Sequence, residues 1–177
     1  ARRRALAAGA IAFLAKPIQN RELLDDMLRY LNDFVSRPTR QVLVIEPDAA
    51  RREEIKCLVA TDDVHVAAAA TEEEALQLLA SARPDCVVVN PSVTIVAQQL
   101  AAAPGENGNR LSQLPVIVYG QSDGDGVWYR LADAYTLRQV NSPDRLLDLM
   151  VLFTHRTVRQ LAADKRQMLV DLHDSDR

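Results

Sequence analysis

The stretch Cys86-Val87-Val88-Val89 constrains this chain more than any other. It is apolar without alternation and is bounded by Asp85 on one side and Asn90-Pro91 on the other. A strand of that kind has both faces covered, which places it inside a parallel sheet with helices on either side. The flanking sequence supplies those helices. Gln41–Ile45 is a short β-rich run, and Ala49–Val59 is a helical stretch with Ile55, Leu58 and Val59 on one face. Val64–Ala69 reads as a further strand. Thr71 and Glu74 form a capping box that opens a helix over Thr71–Ala82, with Ala75, Leu76, Leu78 and Leu79 apolar. After Cys86–Val89 come a weaker helix over Thr94–Ala103 and a loop over Pro104-Gly105-Glu106-Asn107-Gly108-Asn109. Pro115–Tyr119 is a strand, a short helix lies between Asp125 and Ala134, and Tyr135–Val140 is a poorer strand. Ser142 then caps a helix with Pro143 at its first position and Leu146, Leu147 and Leu149 following.

This alternation predicts an α/β fold: a doubly wound, five-stranded parallel sheet of flavodoxin-like order 2-1-3-4-5, with right-handed crossovers. Binding chemistry in such sheets collects outside the carboxyl ends of the strands. Glu46, Pro47, Asp48, Asn90, Gly120 and the neighbourhood of Arg138 are therefore expected around one crevice.

Composition excludes more than it selects. In 177 residues, 48% are apolar, enough for an ordinary core, and a net charge of −3 gives no reason to expect nucleic acid. The run Arg2–Arg4 reads as a solvated helix face, since no aromatic residues interleave with it. No segment approaches the ~20 consecutive apolar residues of a membrane span, and no signal peptide is visible. Cys57 and Cys86 are unclustered and read as buried small hydrophobes in a reducing compartment. His65, His155 and His173 lack ligand-like spacing. Asp123 and Asp125 lack the later glutamate of a calcium loop. No metal site is expected.

The first residues do not begin a domain. Leu6–Gly9 reads as the end of a helix, Ala10–Ala15 as a strand and Lys16-Pro17 as its exit. Asn20–Val35 is an amphipathic helix with Leu23, Leu24, Met27, Leu28, Leu31 and Phe34 on its inner face, followed by the linker Ser36–Arg40. At the other end Val151, Val158, Leu161, Met168 and Leu172 fall on heptad a and d places, with Thr154 and Lys165 in the gaps. That spacing fits either a long signalling helix packed between protomers or a plain amphipathic helix lying on its own domain.

Taken together, Gly9-Ala10-Ile11-Ala12-Phe13-Leu14-Ala15-Lys16-Pro17 and the strand–helix series from Gln41 to Met150 resemble the receiver domains of two-component response regulators and hybrid sensor kinases. The resemblance divides the chain into residues 1–36, the last strand and helix of a preceding receiver; 41–150, a second receiver; and 151–177, a helical signalling linker. In that family, acidic residues after the first strand and an aspartate after the third hold Mg²⁺, and the aspartate accepts a phosphoryl group. A hydroxyl after the fourth strand and a lysine after the fifth then bind its oxygens. Here Glu46 fits the first acidic place, Pro47 occupies the second, and Asp48 lies one residue late. Asn90 fills the acceptor place, and an amide is a very poor nucleophile. Gly120 stands where the hydroxyl belongs. Arg138 stands for the lysine, or Gln139 does if the register slips by one. Arg138 paired with Glu46 or Asp48 would put an internal cation in place of the metal.

The resemblance thus implies a cytoplasmic pseudo-receiver with no catalytic residues and no cofactor, Mg²⁺ included. It would serve as an interaction module of a phosphorelay protein, coupling adjacent receiver and kinase domains of one polypeptide. Lys16 would be the phosphate-sensing lysine of the upstream receiver, and Trp128 with Tyr129 would form a partner surface. A homodimer through the C-terminal helix is the other partner expected; nucleic acid and membrane are not. Two alternatives stay open: a receiver still phosphorylated, with Mg²⁺, on a non-standard carboxylate, and a small-ligand sensor using the same crevice.

Overall fold

A computed structural model of the chain describes residues 5, 8–10, 18, 20–102, 114–121, 126–131 and 136–175. Its centre is a parallel sheet of β1 (Arg40–Ile45), β2 (Val64–Ala69), β3 (Cys86–Val89), β4 (Val116–Tyr119) and β5 (Leu137–Val140), in the order β2-β1-β3-β4-β5. This is the flavodoxin-like arrangement. The described α-helices are α1 (Arg21–Ser36), α2 (Ala49–Val59), α3 (Glu72–Ser81), α4 (Ile95–Ala102), α5 (Val127–Leu131), α6 (Pro143–Phe153) and α7 (Ala163–Ser175). No described helix is long and apolar enough to cross a membrane.

The absence of alternation in β3 has the expected cause. Val87 and Val89 point into one core with Leu43, Ile45, Val116 and Val118, roofed by Ala75 of α3, Val96 and Ala97 of α4, and Trp128 and Leu131 of α5. Cys86 and Val88 point the other way, with Val42, Val44 and Ile117, against Ile55 and Val59 of α2 and Leu146, Met150 and Phe153 of α6. Burial pushes the Cys86 thiol far above its usual range, so it stays protonated and inert. Cys57, expected to be buried as well, is exposed on α2.

The strand ends are level. Ile45 pairs with both Ala69 and Val89, Val89 with Val118, and Val118 with Gln139. The residues that follow β1, β3 and β4 therefore open onto one rim. Local capping supports this frame. The Glu74 backbone N–H donates to Thr71 Oγ1 at 3.3 Å, while Glu74 Oε2 accepts from the Ala70 N–H at 2.8 Å, one residue earlier than a standard capping box. Ser142 occupies the N-cap of α6, but its side chain does not cap the helix. Its hydroxyl instead bonds the Asp144 carboxyl and draws that group below the usual carboxylate range.

Both ends of the chain carry differences. Gly9 lies at φ +88° and Ala10 N–H donates to Ala5 O at 2.9 Å, the left-handed helix end expected there. The strand expected over Ala10–Ala15, and Lys16 with it, lies outside the described residues but for Ala10. Among the described side chains of the expected inner face of α1, Phe34 alone is buried, under the Arg40 guanidinium at 3.7 Å and edge-on to His155 at 5.2 Å. Leu28 is 52% exposed. Arg37 fastens the linker by pairing with Asp85 at 2.6 Å.

The C-terminal stretch is helical, yet it is not the long helix that the heptad spacing suggested. Helix α6 runs past residue 150 and ends at Phe153, where Thr154 Oγ1 donates to Met150 O at 2.5 Å and His155 turns the chain at φ +53°. A 3-10 turn at Val158–Gln160 follows, and α7 then folds back. Leu161 and Leu169 are buried with Leu147, against Leu58 of α2. Apolar side chains that could have formed a coiled-coil seam are spent on the chain's own core, because burial against an adjacent helix needs no second molecule.

Candidate functional site

Glu46 follows β1 directly and is 2% exposed. A carboxylate so buried needs its oxygens satisfied, and the fold satisfies them from three directions. Asn90, directly after β3, donates from Nδ2 to Glu46 Oε1 at 3.0 Å and Oε2 at 2.8 Å. The Asp48 N–H donates to Oε1 at 3.1 Å. Arg51, in the first turn of α2, brings its Nε to 3.5 Å from Oε2.

Asn90 is held in the orientation this requires. Its Oδ1 accepts from Ser92 N–H at 2.9 Å and from Ser92 Oγ at 2.8 Å, so Nδ2 is turned to Glu46. With the amide reversed, its oxygen would face a carboxylate and its NH₂ would face donors. An ionised aspartate in this place would have no donor for Glu46. The amide is therefore the hydrogen-bond complement of Glu46.

Arg51 was missed in the sequence, which offered Arg138 as the internal cation. Arg138 sits on β5 opposite Ile117 and is exposed, while the ion pair to Glu46 comes from Arg51. Arg51 Nη2 also donates to Tyr119 O at 3.1 Å, and its guanidinium carbon lies 4.9 Å from the Tyr119 ring centre. The signal that could have found it is helical spacing: Asp48 caps α2 by accepting from the Arg51 N–H at 2.7 Å, which places residue 51 in the turn overhanging the strand ends.

The remaining places fall into line. Asp48 is taken up as the α2 cap, and Pro47 contributes only its carbonyl, which accepts from Arg52 Nη1 at 3.1 Å. Gly120 adopts φ +135°, and a Cβ on it would come within 3.0 Å of Arg51 Nη2. Its carbonyl accepts from Gln139 Nε2 at 3.2 Å, and Asn141 Nδ2, oriented to donate, lies 2.6 Å away. Neutral amides thus line the end of β5, and Gln139 rather than Arg138 faces the rim.

This donor set does not suit a divalent cation. Hard-cation sites gather several carboxylate or carbonyl oxygens, whereas Glu46 is occupied by donors and by Arg51. Among the described residues, no three His, Cys, Asp or Glu side chains converge on a point.

Other expected residues lie elsewhere. Trp128 is 3% exposed and donates from Nε1 to Pro91 O at 3.0 Å, so it pins the loop after Asn90 and does not form a partner surface. The Tyr129 side chain, Asp123 and Asp125 lie outside the described residues. His155 packs on Phe34, and burial lowers its proton affinity; His173 pairs with Asp148 at 3.0 Å. Trp128→Phe should cost about 1 kcal/mol by leaving Pro91 O without its donor. Urea unfolding would measure that loss, and an unchanged midpoint would show that the bond contributes nothing.

Fold and site together define a flavodoxin-like α/β domain whose strand-end crevice is closed by its own side chains. Among solved structures, the chain is similar to the signal receiver domain of an HD domain-containing protein from Pseudomonas fluorescens Pf-5. The two share 19% identity with a TM-score of 0.49, over 77% of this chain and 98% of that one. No protein-family profile and no curated protein sequence matches the chain.

Proposed function

We propose that residues 41–150 are a receiver-like signalling module that performs no phosphotransfer and acts through contacts with its neighbours. The supporting observation is the saturation of Glu46: the Asn90 amide donates to both its oxygens and Arg51 supplies the positive charge. A phosphorylation site needs the opposite, with open carboxylates gathered for a cation and a nucleophilic oxygen for the phosphoryl group. In this reading the module is not an enzyme and works in the cytoplasm within a multi-domain phosphorelay protein of the hybrid-kinase type. It couples an upstream receiver, of which residues 1–36 are the last strand and helix, to whatever engages residues 151–177.

The test is incubation of the full chain with acetyl phosphate and Mg²⁺, and separately with beryllium fluoride and Mg²⁺. Intact mass should show no phosphoryl adduct, and the amide signals of Glu46, Asp48 and Asn90 should not respond to Mg²⁺. A Mg²⁺-dependent adduct on a carboxylate of this rim would overturn the proposal in favour of a residually active phosphoacceptor.

A further inference from the structure

We infer that α2 is a lever joining the closed crevice to the C-terminal helix α7, so that a partner drawing α7 away from the domain would loosen the Arg51–Glu46–Asn90 contacts. The two ends of α2 are held by different parts of the molecule. At its start, Arg51 reaches Glu46 and Tyr119 O, while Arg52 Nη1 donates to Glu46 O at 2.7 Å. At its end, Lys165 of α7 donates from Nζ to Cys57 O at 2.8 Å and to Ala60 O at 2.9 Å. These are carbonyls that a helix terminus leaves without backbone partners, and an ammonium there also complements the helix dipole.

Two further contacts hold the same end. Leu58 packs on Leu147, Leu161 and Leu169. Arg156, whose side chain is 5% exposed, pairs with Asp63 and bonds Thr61, directly after α2. Three C-terminal residues, Arg156, Leu161 and Lys165, thus grip the far end of a helix whose near end closes the crevice. Burial holds the Lys165 ammonium below the usual lysine range, as expected for a charge docked against protein rather than left in water.

Eleven residues of unbroken helix span about 16 Å. An α-helix resists bending on that scale, since kinks arise at proline, glycine pairs or inserted groups, and Ala49–Val59 has neither proline nor glycine. Displacing its C-terminal end therefore tilts the body and moves Arg51, whose contacts depend on a few tenths of an ångström. By linkage the effect runs equally in both directions.

This inference rests on the closed crevice of the proposed function, but a separate readout tests it. Amide hydrogen exchange is followed on the full chain and on Lys165→Met, with Gln167→Ala as the control. Gln167 lies on the same helix, where among the described residues its side chain bonds Asp171. Lys165→Met should speed exchange at Asp48, Arg51, Arg52 and the Asn90 side-chain amide by about fivefold or more, while Gln167→Ala leaves those sites at parental rates. Arg51→Met should in turn speed exchange across α7 by a similar factor, and it decides the matter alone should Lys165→Met not fold. Faster exchange confined to α7 and residues 57–63, with the crevice at parental rates, would overturn the lever. A chain that showed this coupling and yet took up a phosphoryl group would overturn the proposed function and leave the lever standing.

Discussion

Asn90→Asp, which puts a carboxylate directly after β3, is expected to destabilise the protein by about 3 kcal/mol near neutral pH. The new carboxylate would stand where Nδ2 now lies, 2.8 Å and 3.0 Å from the two oxygens of Glu46. A pair of donor bonds would become a like-charge contact beside a residue that is 2% exposed, with Arg51 as the facing cation at 3.5 Å. Arg51 is 39% exposed, so solvent screening limits how far it can offset the second charge. Ser92 would keep its bonds to the remaining oxygen, which confines the damage to the Glu46 side.

The sign of the pH dependence follows from that contact. In the folded variant two adjacent carboxylates hold a shared proton more tightly than the unfolded chain does. The deficit relative to the parent should therefore be smallest in acid and should grow as pH rises through and beyond the carboxylate range. Urea unfolding of both proteins at a series of pH values measures it. A variant within about 0.5 kcal/mol of the parent at neutral pH would show that the Asn90–Glu46 pairing does not close the crevice.

Gly120→Ala should cost about 2 kcal/mol, from two separable sources. The first is backbone: φ +135° is glycine territory, and the Gly120 N–H is tied to Val140 O at 2.9 Å, so the conformation cannot relax without breaking the link between β4 and β5. The second is space. The added methyl would approach Pro91 Cδ at 3.3 Å and Arg51 Nη2 at 3.0 Å. The proline ring is fixed, but the arginine tip can move, and moving it loses the bond to Tyr119 O. Arg51→Ala should relieve that second part, so Gly120→Ala together with Arg51→Ala should cost less than the sum of the single changes. Strict additivity would mean that Arg51 does not depend on the glycine for its place.

These two positions explain why the site was only half legible in the chain. The departures from the receiver pattern at Pro47, Asn90 and Gly120 are visible residue by residue, because they sit at strand ends whose register follows from apolar runs. Which side chains meet at those strand ends is not visible there. Arg51 belongs to a helix in which Arg52 follows directly and Lys56 and other charged residues stand nearby; only the cap at Asp48 and the seat of α2 against β1 and β2 decide which of them reaches Glu46. Arg138 was the natural choice by position, but β5 directs it outward and leaves Gln139 and Asn141 to meet Gly120. Trp128 failed as a surface residue for a related reason. Its helix is so short that spacing could not say which face turned inward, and the Pro91 carbonyl settled it.

The chain by itself determined the sheet. Hydrophobic runs such as Val64–Ala69 and Cys86–Val89 and the cap at Thr71 are local signals, fixed by side-chain periodicity and nearby hydrogen bonds, and they specify α/β alternation and the identity of the residues at the strand ends. Only the tertiary structure decided that Glu46 and Asn90, separated by 44 positions, would bond each other, that Arg51 would supply the cation, and that α7 would lie on its own domain. Those are long-range pairings chosen by competition for buried space and unsatisfied polar groups. That competition is resolved only when the whole core assembles.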